Sequence, residues 1–204
     1  MTVVSSGYDR RANELYETEA WATAALVRSM RMLGLWAEGM CVWEPAAGTH
    51  MMVDELKRQG ARVLASDIQT YGRRHDFILD AVTYDGAFPI SDGTGWPRPD
   101  AVITNPPYGK GNRMAVKFIE NILRRNPDCA VAMLLTAKFD FGKTRKHLFA
   151  DNGRFMAKVA LLDRISWEGN GQTGTEDHAW YVWGHEQTQP YQPRMMYEQK
   201  VKSV

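Results

Sequence analysis

The sequence is short of most features that assign a class at sight. No apolar run approaches the length needed to cross a bilayer. The opening, MTVVSSGYDRR, has no apolar core of the kind that marks a secretory signal, so a cytoplasmic protein is expected. The two cysteines, Cys41 and Cys129, each lie in or beside an apolar run and read as reduced, buried thiols. His50, His178 and His185 have no metal-ligand spacing with them, so no metal site is expected. Neither GxGxxG nor GxxxxGK[ST] occurs, which disfavours dinucleotide and triphosphate ligands. Charge of one sign is also missing, with 25 basic residues against 24 acidic. A nucleic-acid partner would therefore have to be met by a local basic stripe.

What is present is a regular alternation over 204 residues, long enough for one domain with a sizeable core. A single domain over 1–204 is expected, with a loosely held polar segment at 1–15 and an extended arm at 187–204. Ala22, Leu26, Met30 and Leu33 recur at helical spacing, with Thr18 as the expected N-cap and Gly34 as the stop. CVW (41–43), ARVLASDI (61–68), HDFILDAV (75–82), DAVIT (100–104), DCAVAMLLT (128–136), FMAKVALLD (155–163) and HAWYVWGH (178–185) read as seven strands. Helices are expected through Met51–Leu56 and over 114–124 between them. This pattern predicts an α/β, Rossmann-like, mostly parallel sheet with helices on both faces. Only a loop separates the last two strands, so the last is expected antiparallel. Seven Trp and eight Tyr are either core or stacking surfaces, and composition does not choose.

Ligands in such folds bind outside the carboxyl ends of the strands. The polar residues there are Glu44, Asp67, Asp76 and Asn105. Glu44-Pro45-Ala46-Ala47-Gly48 either lets a ligand approach the backbone or is simply a tight turn. Asp67 reads as a ribose-binding carboxylate or as a helix cap. Asp76, followed by Phe77, reads as an adenine partner or as a solvated acid. Together they describe a site for an adenosine-containing molecule without phosphates. At Asn105-Pro106-Pro107-Tyr108 two prolines end an apolar strand and hold a polar corner stiff. The segment 138–147, with Lys138, Lys143, Arg145 and Lys146, contacts phosphates or is a solvated helix start. The loop EGNGQTGTED (168–177) either moves over a substrate or is a long hairpin loop.

VWEPAAG, ASDI, DFIL and NPPY, in that order, resemble the motifs of S-adenosylmethionine-dependent adenine-N6 DNA methyltransferases. YETEAW (16–21) is similar to their N-terminal motif, and 164–183 to small phage- or prophage-type members. The resemblance implies the seven-stranded methyltransferase sheet, S-adenosylmethionine as cofactor, DNA as substrate and the cytoplasm of a bacterial or phage-infected cell. It implies cofactor contacts from Tyr16, Thr18, Trp21, Glu44, Pro45, Ala46, Gly48, Asp67, Ile68, Asp76, Phe77 and Asn105. It further implies that Asn105 and the Pro106 carbonyl accept the N–H bonds of an exocyclic amine, with Pro107 keeping the corner from relaxing. Tyr108 would stack on a base that has left the helix stack. Sequence choice would rest on loops, a homodimer or a partner subunit. The same corner also serves cytosine N4, adenine in RNA and protein glutamine, and a non-catalytic subunit is a further alternative. Two positions depart from the family pattern: His50 stands where a second glycine is usual, and Glu19 where a proline is common.

Overall fold

A computed structural model describes residues 15–86, 98–167, 172–186 and 190–201. The expected parts of the segments 1–14, 87–97, 168–171, 187–189 and 202–204 lie outside the described residues. The chain runs α1 (Ala20–Met32), β1 (Cys41–Glu44), α2 (Met51–Arg58), β2 (Arg62–Asp67), β3 (Phe77–Ile78), β4 (Ala101–Thr104) and α3 (Arg113–Arg125). It continues with β5 (Ala130–Thr136), β6 (Phe155–Leu161), β7 (His178–Trp183) and β8 (Arg194–Glu198). The strands form one sheet in the order β3-β2-β1-β4-β5-β7-β6-β8. β7 is antiparallel to both β5 and β6, as expected for a strand joined to its predecessor by a loop.

Alternation along the strands divides the core in two. Val42, Val63, Ile103, Ala132 and Leu134 point to the face covered by α1 and α2, where Leu26, Met30, Val53 and Leu56 meet them. Trp43, Leu64, Val102, Met133 and Leu135 point to the other face, covered by α3 through Phe118, Ile119 and Ile122. β1 and β5 are therefore buried on both faces, which is why they read as unbroken apolar runs. The aromatic surplus is largely core, and the polar tips of its largest buried members are satisfied. The indole N–H groups of Trp43, Trp180 and Trp183 donate to Ser66 Oγ, Ala22 O and Leu148 O at 2.8, 2.9 and 2.7 Å. The Tyr181 hydroxyl bonds to Asp140 Oδ1 at 3.0 Å.

Three expectations change. The arm after 187 contributes an eighth strand: Arg194–Glu198 pairs parallel with β6 and is tied to α1 by Arg28 on Glu198 at 2.6 Å. Its Met195 and Tyr197 are exposed, so no apolar alternation announced it. Glu19, not Thr18, occupies the N-cap of α1, and neither side chain caps it. β3 is only two residues long; just before it Asp76 turns its carboxylate onto Ala65 N at 2.8 Å, and beyond it the chain turns at Asp80. Among the described residues no helix is long and apolar enough to cross a membrane.

Arg154 ties the amino-end region of the sheet together. Its guanidinium donates to the carbonyls of Gly184, Leu123, Asn126 and Cys129 at 2.7–3.1 Å. Replacing it with Met leaves those buried acceptors unpaired, at a cost of about 3 kcal/mol or more. Urea unfolding of Arg154→Met measures this, and a loss under about 1 kcal/mol would mean that water substitutes for the guanidinium.

Candidate active site

β1 pairs in parallel with β2 on one side and β4 on the other, so strand order reverses at β1 and a crevice opens at the carboxyl ends. A cavity of about 460 Å³ occupies it. Of the sequence-predicted residues, Tyr16, Thr18, Glu44, Pro45, Ala46, Gly48, Asp67, Ile68, Asn105 and Pro107 line it. Leu79, Asp80, Val82, Met114 and Phe118 line it too, without having been expected there.

The turn after β1 is held by two carboxylates. Glu44 Oε1 accepts from Ala46 N at 2.9 Å. Asp67 Oδ2 accepts from Gly48 N at 3.0 Å and its Oδ1 from Ile68 N at 2.7 Å. Gly48 has φ +49°, and a Cβ there would come within 2.8 Å of the Leu15 side chain that lies across the turn. Its positive φ is what favours glycine there, and any side chain would also have to displace the tip of Leu15.

His50 begins α2 in the left-handed region, at φ +77°. Its ring is turned away from the cavity lining and bonds to His75, Nε2 to Nδ1 at 2.8 Å. His75 Nε2 donates to Gln69 O at 3.0 Å, so His75 Nδ1 is the acceptor and His50 Nε2 carries the proton. Burial, with Arg73 and His75 nearby, holds His50 below the ordinary imidazole range. The residue in place of the second glycine thus leaves the cavity its room and braces the turn from behind.

At the β4 corner, Asn105 Nδ2 donates to Tyr16 O at 3.1 Å. That bond fixes which end of the amide is which. Asn105 Oδ1 is buried and has no hydrogen-bond partner. Thr18 Oγ1 and Glu44 Oε2 share that condition on the same cavity. Residues lining one crevice thus carry buried polar atoms that a ligand there could bond. Burial pushes the Glu44 carboxyl up to about 8, against the nearby Thr104 hydroxyl and the Ala46 amide, and the Asp67 charge raises it further. Asp67 is also raised by burial, with the Gly48 and Ile68 amides opposing.

The structure does not bring every expected residue here. Asp76 is spent on Ala65 N, and Phe77 packs against the α3-side core; Asp80, four residues on, lines the cavity instead. The repeated acid in DFILD held that choice, but deciding it required the length of β3. Trp21 packs into the α1-side core and donates to Glu19 Oε2 at 2.9 Å. Pro106 is buried behind the corner, and the Tyr108 hydroxyl donates to Leu134 O at 3.1 Å. The basic segment follows β5 as two 3-10 turns rather than an α-helix start. Lys138 and Lys143 there are exposed and meet no acid among the described residues. Lys146 pairs with Asp151 at 2.8 Å, and Arg145 lies 4.3 Å over the Phe139 ring. Among the described residues no three His, Cys, Asp or Glu side chains are grouped as a metal would need.

Glu44 makes stability pH-dependent in a definite direction. The folded protein keeps its proton to about 8, whereas the unfolded chain loses it near 4.5, so stability falls as pH rises between them. Glu44→Gln should remove a slope of up to about 1.4 kcal/mol per pH unit. Urea unfolding of both proteins at several pH values across this window tests it, and identical slopes would remove Glu44 as the source.

No family model matches the chain, and no curated relative does. Solved structures do. A candidate RNA methyltransferase from Pyrococcus horikoshii superposes with TM-score 0.65 at 18% identity, over 90% of this chain and 93% of that one. A candidate class I S-adenosylmethionine-dependent methyltransferase from Listeria monocytogenes gives 0.57 at 15%, over 93% and 67%. The methyltransferase subunit of a type I restriction-modification system from Streptococcus thermophilus gives 0.58 at 15%, over 86% of this chain and 46% of that subunit. With β8 added at its edge, the sheet has the fold shared by S-adenosylmethionine-dependent methyltransferases.

Proposed function

We propose that this chain transfers a methyl group from S-adenosylmethionine to the N6 amine of adenine in DNA. The observation that carries the reading is Asn105. Its Nδ2 is committed to Tyr16 O, and its buried Oδ1 is left as an acceptor on a proline-stiffened corner. An exocyclic amine offers the donor that this acceptor lacks.

The cavity fits the cofactor by size and by chemistry. Its volume of about 460 Å³ is within the range of small-molecule sites. Thr18 Oγ1 and the Glu44 carboxyl, protonated at neutral pH, are free to bond the amino-acid end. Asp67 takes the ribose, and Ile68, 58% exposed, offers an apolar wall to the adenine. Asp80, beside Leu79 and Val82, supplies the carboxylate for the adenine amine that Asp76 was expected to supply. The cofactor, when bound, provides a methyl group already activated on a sulfonium.

The protein's own part is orientation. The amine of adenine is a poor nucleophile because its lone pair is delocalised into the ring. Asn105 Oδ1 accepts one of its N–H bonds and the Pro106 carbonyl the other, which favours a pyramidal nitrogen with its lone pair aimed at the methyl group. Pro106 and Pro107 prevent the corner from yielding, so the acceptors act by preorganisation. Tyr108, its hydroxyl anchored on Leu134 O and its ring beside the α3-side core, is assigned the role of stacking on the base. Lys138 and Lys143, in the segment that follows the carboxyl end of β5, are assigned to phosphates. Sequence choice is assigned to the loops of this edge or to a partner subunit.

One observation favours a second substrate with the same chemistry: the candidate RNA methyltransferase matches along nearly its whole length. Labelled S-adenosylmethionine, offered with unmethylated DNA and with RNA and followed by nucleoside mass spectrometry, separates the two. N6-methyladenine from DNA is the expected product. Label in RNA alone would transfer the reading to RNA, and label in neither would overturn it. Asn105→Ala should abolish turnover with cofactor affinity kept within about three-fold, because the acceptor acts on the amine. Asp80→Asn should weaken cofactor binding roughly ten-fold, whereas Asp76→Asn leaves it within about two-fold. Calorimetry measures both, and the reverse order would restore Asp76 to the site.

A further inference from the structure

The segment before α1 is stitched to three separate parts of the sheet edge. Leu15 packs on the Gly48 turn, and Tyr16 O holds Asn105 Nδ2. Glu19, three residues further on, reaches the chain between β6 and β7, where its Oε2 accepts from Ser166 N at 2.8 Å. The same oxygen accepts from Trp21 Nε1, and Oε1 faces Lys200 Nζ, just past β8, at 3.5 Å. The neighbour of Ser166, Trp167, stands edge-on to the Tyr16 ring with centroids 6.0 Å apart. Trp167 is itself backed by His178 at the start of β7, at 5.0 Å.

Glu19 is not among the residues that line the cavity. Its bonds nevertheless decide where Tyr16 sits. A carboxylate that takes one backbone N–H and one indole N–H at once has its two oxygens directed, and the backbone carrying it is directed too. The Tyr16 carbonyl in turn accepts from the Asn105 side-chain NH₂. Without it, the amide is free to rotate, and its oxygen and NH₂ exchange places.

We infer that Glu19 is a positioning residue for Asn105: by latching the segment 15–19 to Ser166 and Trp21, it holds the Tyr16 carbonyl that orients the amide. The latch rests on the proposed role of Asn105 for its effect on turnover, but its effect on the amide itself does not. Trp167 supports the same carbonyl by packing against the Tyr16 ring. The latch joins residues 147 positions apart, so the orientation of the amide depends on chain that follows β6.

Two readouts on the full chain test this. In wild-type protein labelled with ¹⁵N-asparagine, the Asn105 side-chain NH₂ pair, identified by its absence in Asn105→Ala, should be shifted from free-amide values and protected from exchange. In Glu19→Ala it should move toward free-amide values, with exchange roughly ten-fold faster. In Glu19→Gln, which keeps an acceptor oxygen, it should stay near wild type. Turnover should fall roughly ten-fold or more in Glu19→Ala with cofactor affinity within about three-fold, and recover in Glu19→Gln. An unchanged amide signal in folded Glu19→Ala overturns the latch, whatever turnover does. If wild-type protein methylates no nucleic acid, the proposed function fails, and the amide signal still decides the latch. Should Glu19→Ala not fold, Trp167→Leu takes its place, with the same shift expected and the same unchanged signal overturning the inference.

Discussion

The parallel pairing of β1 with both β2 and β4 is the constraint from which the rest of the site follows. Because strand order reverses there, no strand end closes the space above β1, and side chains from three strands face one crevice. Those strands leave polar residues at their ends, Glu44, Asp67 and Asn105, in a place from which bulk water is largely withdrawn. The result is electrostatically expensive: an acid kept protonated to about 8 and a carboxamide oxygen with nothing to accept. A protein retains such groups where a ligand repays the desolvation.

The two faces of the sheet are not equivalent in how they support this crevice. On one side, α1 and α2 pack over β1 with small and aliphatic residues, so the turn carrying Gly48 lies close to the sheet. On the other, the Trp183 indole and Tyr181 ring of β7 and the rings of Phe139, Phe149 and Phe155 fill the space under the 3-10 turns. The basic segment is thereby carried on a rigid aromatic base. Arg145 is held against Phe139, which leaves Lys138 and Lys143 as the exposed cations of that segment without an acid among the described residues.

The strands that position the site were legible because they are buried on both faces; apolar runs such as AVAMLLT admit few other interpretations. The NPPY corner was legible because proline chemistry is local. Other features depend on distance. β8 is an edge strand with Met195 and Tyr197 exposed, and its pairing is fixed by contacts such as Arg28 with Glu198, 170 positions away. Asp76 and Asp80 are both acids in one short segment, and only the two-residue length of β3 sends one to Ala65 N and the other to the cavity. Trp21 belongs to a motif-like stretch, yet helical geometry after Glu19 turns it into the core. Glu19 itself departs from the family pattern, and no local rule links it to Ser166.

The stitching of the first helix to the last strand also has a temporal side. A ribosome releases the chain from its amino end, so β1, β2 and β4 emerge with their crevice before β6, β7 and β8 exist. Until Ser166 and the Arg194–Glu198 strand have been synthesised, Glu19 has only its local bond from Trp21 Nε1, and the flank of α1 lacks Glu198. Contacts of such long sequence separation also form late in folding, because their loop-closure entropy must first be overcome. The nascent chain therefore carries its binding crevice early and its aligned amide last.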